Sequence, residues 1–328
     1  FIIARQMNLL QIFLPDFLLN HNTWAIVLLA HLLFMMMNQY FSALLQAENK
    51  FTLAGLLTVI GSVSLLLLYS VSYFEIFQVS GPAIYWVIRS LLLVAGLQFA
   101  IYLMLVYRVD KRYFHFESFS LAEIKPLWWF AGLAYAANVV QFLNYRMDLW
   151  FINYFHHSEA MIGVYALAVT LAQLVWHLPN AVHNVLFTFA SSDINNDAKI
   201  AKTSRTSGWL LLYAIGAGLS GYLLSIWLVP LWFGSDFAEV SQLIGILLLG
   251  IVPFSYGIGI SAYFAGTRRV QINMQGSMIG LLFCIVFDVL LIPGYGVTGA
   301  AAATVISYVS TVGYYYYRFI QIVKASKS

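Results

Sequence analysis

The stretch "NYRMDLWFINYF", Asn144–Phe155, sets the problem this chain poses. It closes a hydrophobic run long enough to cross a bilayer, yet it carries Arg146 and Asp148 two positions apart. On a helix of 3.6 residues per turn these point about 200° apart, so they do not face each other. A charge facing lipid at mid-membrane costs about 2.5–3.5 kcal/mol on insertion scales. Each therefore needs company of its own: water, an anion, or a polar group on another helix.

The rest of the chain confirms the setting. Of 328 residues, 62% are hydrophobic and only 9% charged, with mean hydropathy +0.82, where soluble domains carry about 25% charged residues. Nine stretches are long enough to span, at about 24–46, 51–73, 84–107, 127–155, 162–186, 207–230, 240–264, 272–292 and 297–319. Each is expected to be helical, because an open strand in lipid leaves its backbone groups unpaired. The expected fold class is all-α, a polytopic membrane protein.

All but three of the 16 Lys and Arg fall in loops on one side of these stretches, which the positive-inside rule makes cytoplasmic, with the carboxyl terminus. The start, "FIIARQMNLLQIFLP", has neither a basic n-region nor a cleavage site and reads as the end of a helix already under way. The first three stretches and the last three share one layout, at an offset of roughly 215–219 residues. Three further helices ahead of residue 24 would complete two parallel six-helix halves. That expectation assigns residues 1–118 to the remainder of an N-terminal bundle and 119–328 to a C-terminal bundle.

The three remaining cations, Arg5, Arg89 and Arg146, lie inside hydrophobic stretches. At 1.5 Å per residue, Arg146 and Arg5 sit ~14 Å from the outer end of their helices and Arg89 ~10 Å. All three are candidates to line a water-filled cavity, where a guanidinium fork grips phosphate or carboxylate. Against this, Arg146 could pair with Asp148, which the spacing disfavours, and Arg89 could reach the headgroups. Asp148 either neutralises a charge on a neighbouring helix or binds a coupling cation. Asp288 either carries protons or cations or, more economically, caps the break before "PGYG". Pro179 and Pro253 interrupt two spans and invite bends.

Other features yield little chemistry. Cys284, the lone cysteine, excludes an intrachain disulfide and reads as a packing residue. "DINNDAK", 193–199, lacks the Gly and Glu of a calcium loop. His156 and His157 read as loop histidines, with no metal and no cofactor implied. Many Tyr and Trp lie near span ends as an interfacial belt; some could stack on sugar rings. No HExxH, GxSxG, P-loop or DxD pattern is present, so an enzyme is not expected.

The segment "YRMDLWFINYFHHSEAMIGVYALAVTLAQLVWHLPNAV" resembles helices seven and eight of the Wzx-type polysaccharide flippases, in the multidrug/oligosaccharidyl-lipid/polysaccharide exporter superfamily. Arg146, Asp148, Gly163, Tyr165 and Ala168 carry the likeness, and "LIPGYGVTGAAAATVISY" (291–308) is similar to that family's eleventh-to-twelfth helix turn. The resemblance implies twelve helices in two bundles around a central cationic cavity, of which nine would be present here, as helices four to twelve. It implies a bacterial inner-membrane flippase moving undecaprenyl-pyrophosphate-linked oligosaccharide repeat units outward for O-antigen or related lipopolysaccharide assembly. Its expected partners are that lipid-linked substrate, membrane lipids and the polysaccharide polymerase machinery, with no nucleic acid. The alternatives are a drug/cation antiporter or peptidoglycan-precursor flippase of the same superfamily, or a membrane-embedded polymerase or acyltransferase. An antiporter favours a carboxylate-lined cavity, and the enzymes usually need a large outer loop or an intramembrane His/Asp site.

Overall fold

The computed structural model describes residues 22–48, 50–73, 83–111 and 121–327, and every regular element among them is helical. The chain divides into two compact units, residues 1–119 and 120–328.

In the first unit, α1 (Asn22–Ala47), α2 (Phe51–Tyr73) and α3 (Ala83–Val109) form a small bundle with α3 against both others. Lipid tails are as apolar as leucine, so helices in a bilayer associate through close packing and hydrogen bonds. Both are visible here. Phe41, Leu45, Leu57, Tyr102 and Val106 form the core. Gln98 Nε2 on α3 donates to the Leu57 carbonyl at 3.0 Å, Tyr102 donates to that of Ala54 at 3.3 Å, and Asn38 Nδ2 on α1 donates to that of Ala95 at 3.0 Å.

The second unit begins with α4 (Leu121–His156). α5 (Glu159–Gln173) and α6 (His177–Ser191) follow, joined by a 3₁₀ turn at Leu174–Trp176. Pro179 lies in the first turn of α6, a place in a helix that proline tolerates. α7 (Asn196–Phe233) starts on Asn195, whose side chain accepts from Asp197 N, and stops at Gly234. α8 (Glu239–Gly266) is the inner helix, packed against α5, α6, α7 and α9 (Val270–Lys327). Trp176 anchors it, donating its indole N–H to the Ile251 carbonyl at 3.0 Å while packing on Tyr145, Phe254 and Tyr308.

α9 is one element in two legs. Gly296 has φ 55° and ψ −132°, a conformation that side-chain-bearing residues avoid, and the helix breaks there just beyond Pro293. His156 Nε2, in the last turn of α4, donates to the Ile292 carbonyl at the break, 2.9 Å away.

Seven helices among the described residues are long and apolar enough to cross a membrane, against the nine stretches read from sequence. The last two stretches remain two helices, the legs of α9 on either side of the non-helical Gly296, and together they make one of the seven. α4 has the length, but Asn138, Gln141, Asn144, Arg146 and Asp148 make it too polar.

Candidate functional site

The polar residues of α4 point to two sides. Asn144 and Asp148 are buried, at 0% and 2% exposure, on the face packed against α9. Arg146 is exposed on the other side of the helix. It shares that side with Tyr135, Phe142 and Trp150, all exposed and all within about 40° of it at 3.6 residues per turn. The α4 surface is therefore a stripe of aromatic rings around a single guanidinium.

Asp148 is held by three donors. Its Oδ1 accepts from Leu149 N at 2.9 Å, and its Oδ2 accepts from Tyr165 at 2.5 Å and from Thr304 at 3.2 Å. The tyrosine and threonine hydroxyls are also 2.9 Å from each other. Among the described residues its side-chain neighbours are thus hydroxyls of α5 and α9.

Asp288, on the first leg of α9, is fully buried. Its Oδ2 accepts the Cys284 thiol at 3.2 Å, while Oδ1 has no hydrogen-bond partner among the described residues. It does not cap the break before Pro293. Cys284 is more than packing, since it links Asp288 to the neighbourhood of the Asn144 carbonyl, 3.9 Å away. The two aspartates are near enough for their charges to interact.

Below them, a seam of polar groups continues between α4 and both legs of α9. Ser307 lies 2.7 Å from Asn144 Oδ1 and 2.8 Å from the Gly280 carbonyl. A side chain at Gly280 would collide with Thr311 Oγ1, at 2.2 Å from the added carbon, so only glycine lets the two legs approach this closely. One turn further, Ser277 donates to Gln141 Oε1 at 2.7 Å.

Of the remaining candidates, Arg89 is exposed on α3 in the first unit, and Arg5 lies outside the described residues. The sequence reading did not find Tyr165, Thr304, Ser307 or Asn144 as site residues. Tyr165 was quoted only as part of a motif, and its spacing of 17 from Asp148 carries no helical signal. Among the described residues no group of three or more His, Cys, Asp or Glu is placed to hold a metal ion.

The fold and this seam define a multi-pass helical membrane protein whose second unit carries a line of buried polar groups between α4 and α9. No protein-family model matches the chain. Its fold is that of a MATE transporter: it matches a variant of VcmN from Vibrio cholerae with a TM-score of 0.78, over 98% of this chain and 74% of that one, at 16% identity. It is also similar to the capsular polysaccharide biosynthesis protein CapF of Staphylococcus aureus, 32% identical over 127 residues, or 37% of this chain. That match spans 32% of CapF, about a third of its length.

Proposed function

We propose that the chain belongs to a flippase of the exporter superfamily, one that moves polyprenyl-pyrophosphate-linked oligosaccharide repeat units to the outer leaflet for surface polysaccharide assembly. The transporter fold and the similarity to a capsular polysaccharide biosynthesis protein support the class. The observation that carries the substrate reading is the α4 stripe. A guanidinium suits pyrophosphate through paired hydrogen bonds, and flat aromatic rings around it suit sugar faces. Tyr135, Phe142 and Trp150 serve the sugars in this reading and Arg146 the phosphates; Arg89, in the first unit, and Arg5 are proposed separately as cationic positions for the same class of substrate.

Asp148 and Asp288 belong to coupling rather than to substrate. They are buried inside the bundle, away from the Arg146 face, and a net positive species is the natural counterpart of two neighbouring carboxylates. The same observation weighs against a drug/cation antiporter, in which carboxylates would be expected on the substrate face. The bilayer is taken as the bacterial inner membrane, with the carboxyl terminus cytoplasmic.

The test is Arg146→Ala and Arg146→Lys in the intact protein, expressed at equal membrane levels in cells lacking it, with lipid-linked oligosaccharide measured on each leaflet. The expected result is accumulation on the inner leaflet with alanine, partly relieved by lysine. Normal transport with alanine would remove Arg146 from the substrate path.

A further inference from the structure

The second unit contains a recess of about 470 Å³ at the end of the bundle marked by Arg268 and Arg269, between α4, α6, α8 and α9, with apolar walls and a few polar side chains. Asn138, Gln141, His183, Asn273 and Ser277 line it. Two of these carry buried atoms without a hydrogen-bond partner among the described residues, Gln141 Nε2 and Asn273 Oδ1. Two more such atoms lie deeper along the same seam: Asn144 Nδ2 and Asp288 Oδ1, on side chains that are both fully buried. Buried polar atoms are paired with protein or with ordered water in nearly all cases. Four without a partner among the described residues, strung along one seam from an open recess to a carboxylate, mark a track that water enters.

The track is narrow. From Ser277 to Asp288 it runs ~16 Å along α9, past Gly280, Ser307 and Cys284. The Ser307 hydroxyl crosses its middle, within hydrogen-bond distance of both the Asn144 amide and the Gly280 carbonyl, to one of which its single proton is given at a time. A hydrated metal cation needs oxygen ligands on several sides, about six to eight for calcium, and this crossing gives no such room. A proton needs only rotatable donors and intermittent water, and the hydroxyls of Ser277, Thr311 and Ser307 and the thiol of Cys284 supply the donors.

At the end of the track the two carboxylates differ. Asp148 has three donors and is suited to stay an anion. Asp288 has one weak thiol donor and a bare oxygen. The groups facing Asp288 are Asp148 on α4 and Cys284 on its own leg. Tyr165 on α5 stands behind Asp148, as do Tyr308 on the other leg of α9 and, more remotely, Arg146.

We propose that Asp288 is the exchangeable proton carrier of this bundle, and that its protons arrive from the recess along the seam between α4 and α9. In this step water in the recess gives up a proton, each donor on the track passes one on and takes one up, and the Asp288 carboxylate becomes the neutral acid. Release reverses the sequence. The proposal rests on the reading of Asp288 as a coupling group.

Infrared difference spectroscopy of the full chain in lipid vesicles tests it without any lipid-linked substrate, so its failure is separable from failure of the flippase reading. The expected result is a protonated-acid carbonyl band that shifts in D₂O and is lost in Asp288→Asn. Asn138→Phe, which plugs the recess from an exposed position, and Ser307→Ala should each slow the exchange roughly tenfold, since it must then await local opening. Ser277→Val replaces either variant if it elutes as aggregate. Absence of the band would overturn the proposal, and so would unchanged exchange in the blocking variants. Loss of the band on adding sodium at constant pH would overturn it as well, by showing a metal cation at the site.

Discussion

Removing one oxygen atom, in Tyr165→Phe, tests the arrangement around Asp148. Tyr165 is fully buried, and its hydroxyl lies 2.5 Å from Asp148 Oδ2 and 2.9 Å from Thr304 Oγ1. The ring stays in place, so no cavity opens. In soluble proteins a hydrogen bond to a charged group is worth about 1.5–3 kcal/mol. Inside membranes measured couplings average ~0.6 kcal/mol and reach ~1.7, because the unfolded chain also finds partners. A short bond to a buried carboxylate belongs at the upper end, so the expected coupling between Tyr165 and Asp148 is about 1.5 kcal/mol, or roughly tenfold in the unfolding equilibrium. The assay is a double-mutant cycle with Tyr165→Phe, Asp148→Asn and the pair, unfolded reversibly in mixed micelles. Additivity within about 0.3 kcal/mol would refute the reasoning, since unlinked sites behave in that way.

Further outcomes follow from the same geometry. Gly280→Ala should destabilise the second unit by about 1–3 kcal/mol through overpacking, and Thr311→Ala in the same chain should recover part of the loss, read as thermal stability in detergent. Gly296→Ala should cost about 1–3 kcal/mol because of its backbone conformation, and more than His156→Ala, which removes only the bond to the Ile292 carbonyl; thermal unfolding ranks the two. Phe142→Ala and Trp150→Ala, at exposed positions, should change stability by no more than about 0.5 kcal/mol while lowering transport of the lipid-linked oligosaccharide. Unchanged transport in both would remove the aromatic stripe from the substrate path.

How far the sequence could be read depended on the range of the interactions. Helical spans are legible because a bilayer leaves the backbone no alternative, and length and hydropathy are local properties. The opposite directions of Arg146 and Asp148 are legible for the same reason, since 3.6 residues per turn fixes them within one helix. The partners of Asp148 are not. Thr304 is 156 residues away, and its position depends on the register between α4 and α9, which no periodicity records. Cys284 illustrates the limit from the other side. In an apolar run it reads as a small hydrophobe; Asp288 lies one turn along the same helix, within reach of a local reading, but the Asn144 carbonyl on α4 does not.

The bent α9 also bears on how the protein is made. Its two legs meet through groups not far apart in the chain, Gly280 with Ser307 and Asn273 with Tyr315, so they can close as a helical hairpin soon after synthesis. α4 leaves the ribosome well before them. Until the hairpin arrives, Asn144 lacks Ser307 and Asp148 lacks Thr304, in a helix already too polar to be among the strongly apolar spans. α4 is therefore an insertion client of a segment that does not yet exist. A chain stalled before α9 would present those incompletely bonded groups to the membrane's quality-control proteases, a mark that separates an unfinished copy from a finished one.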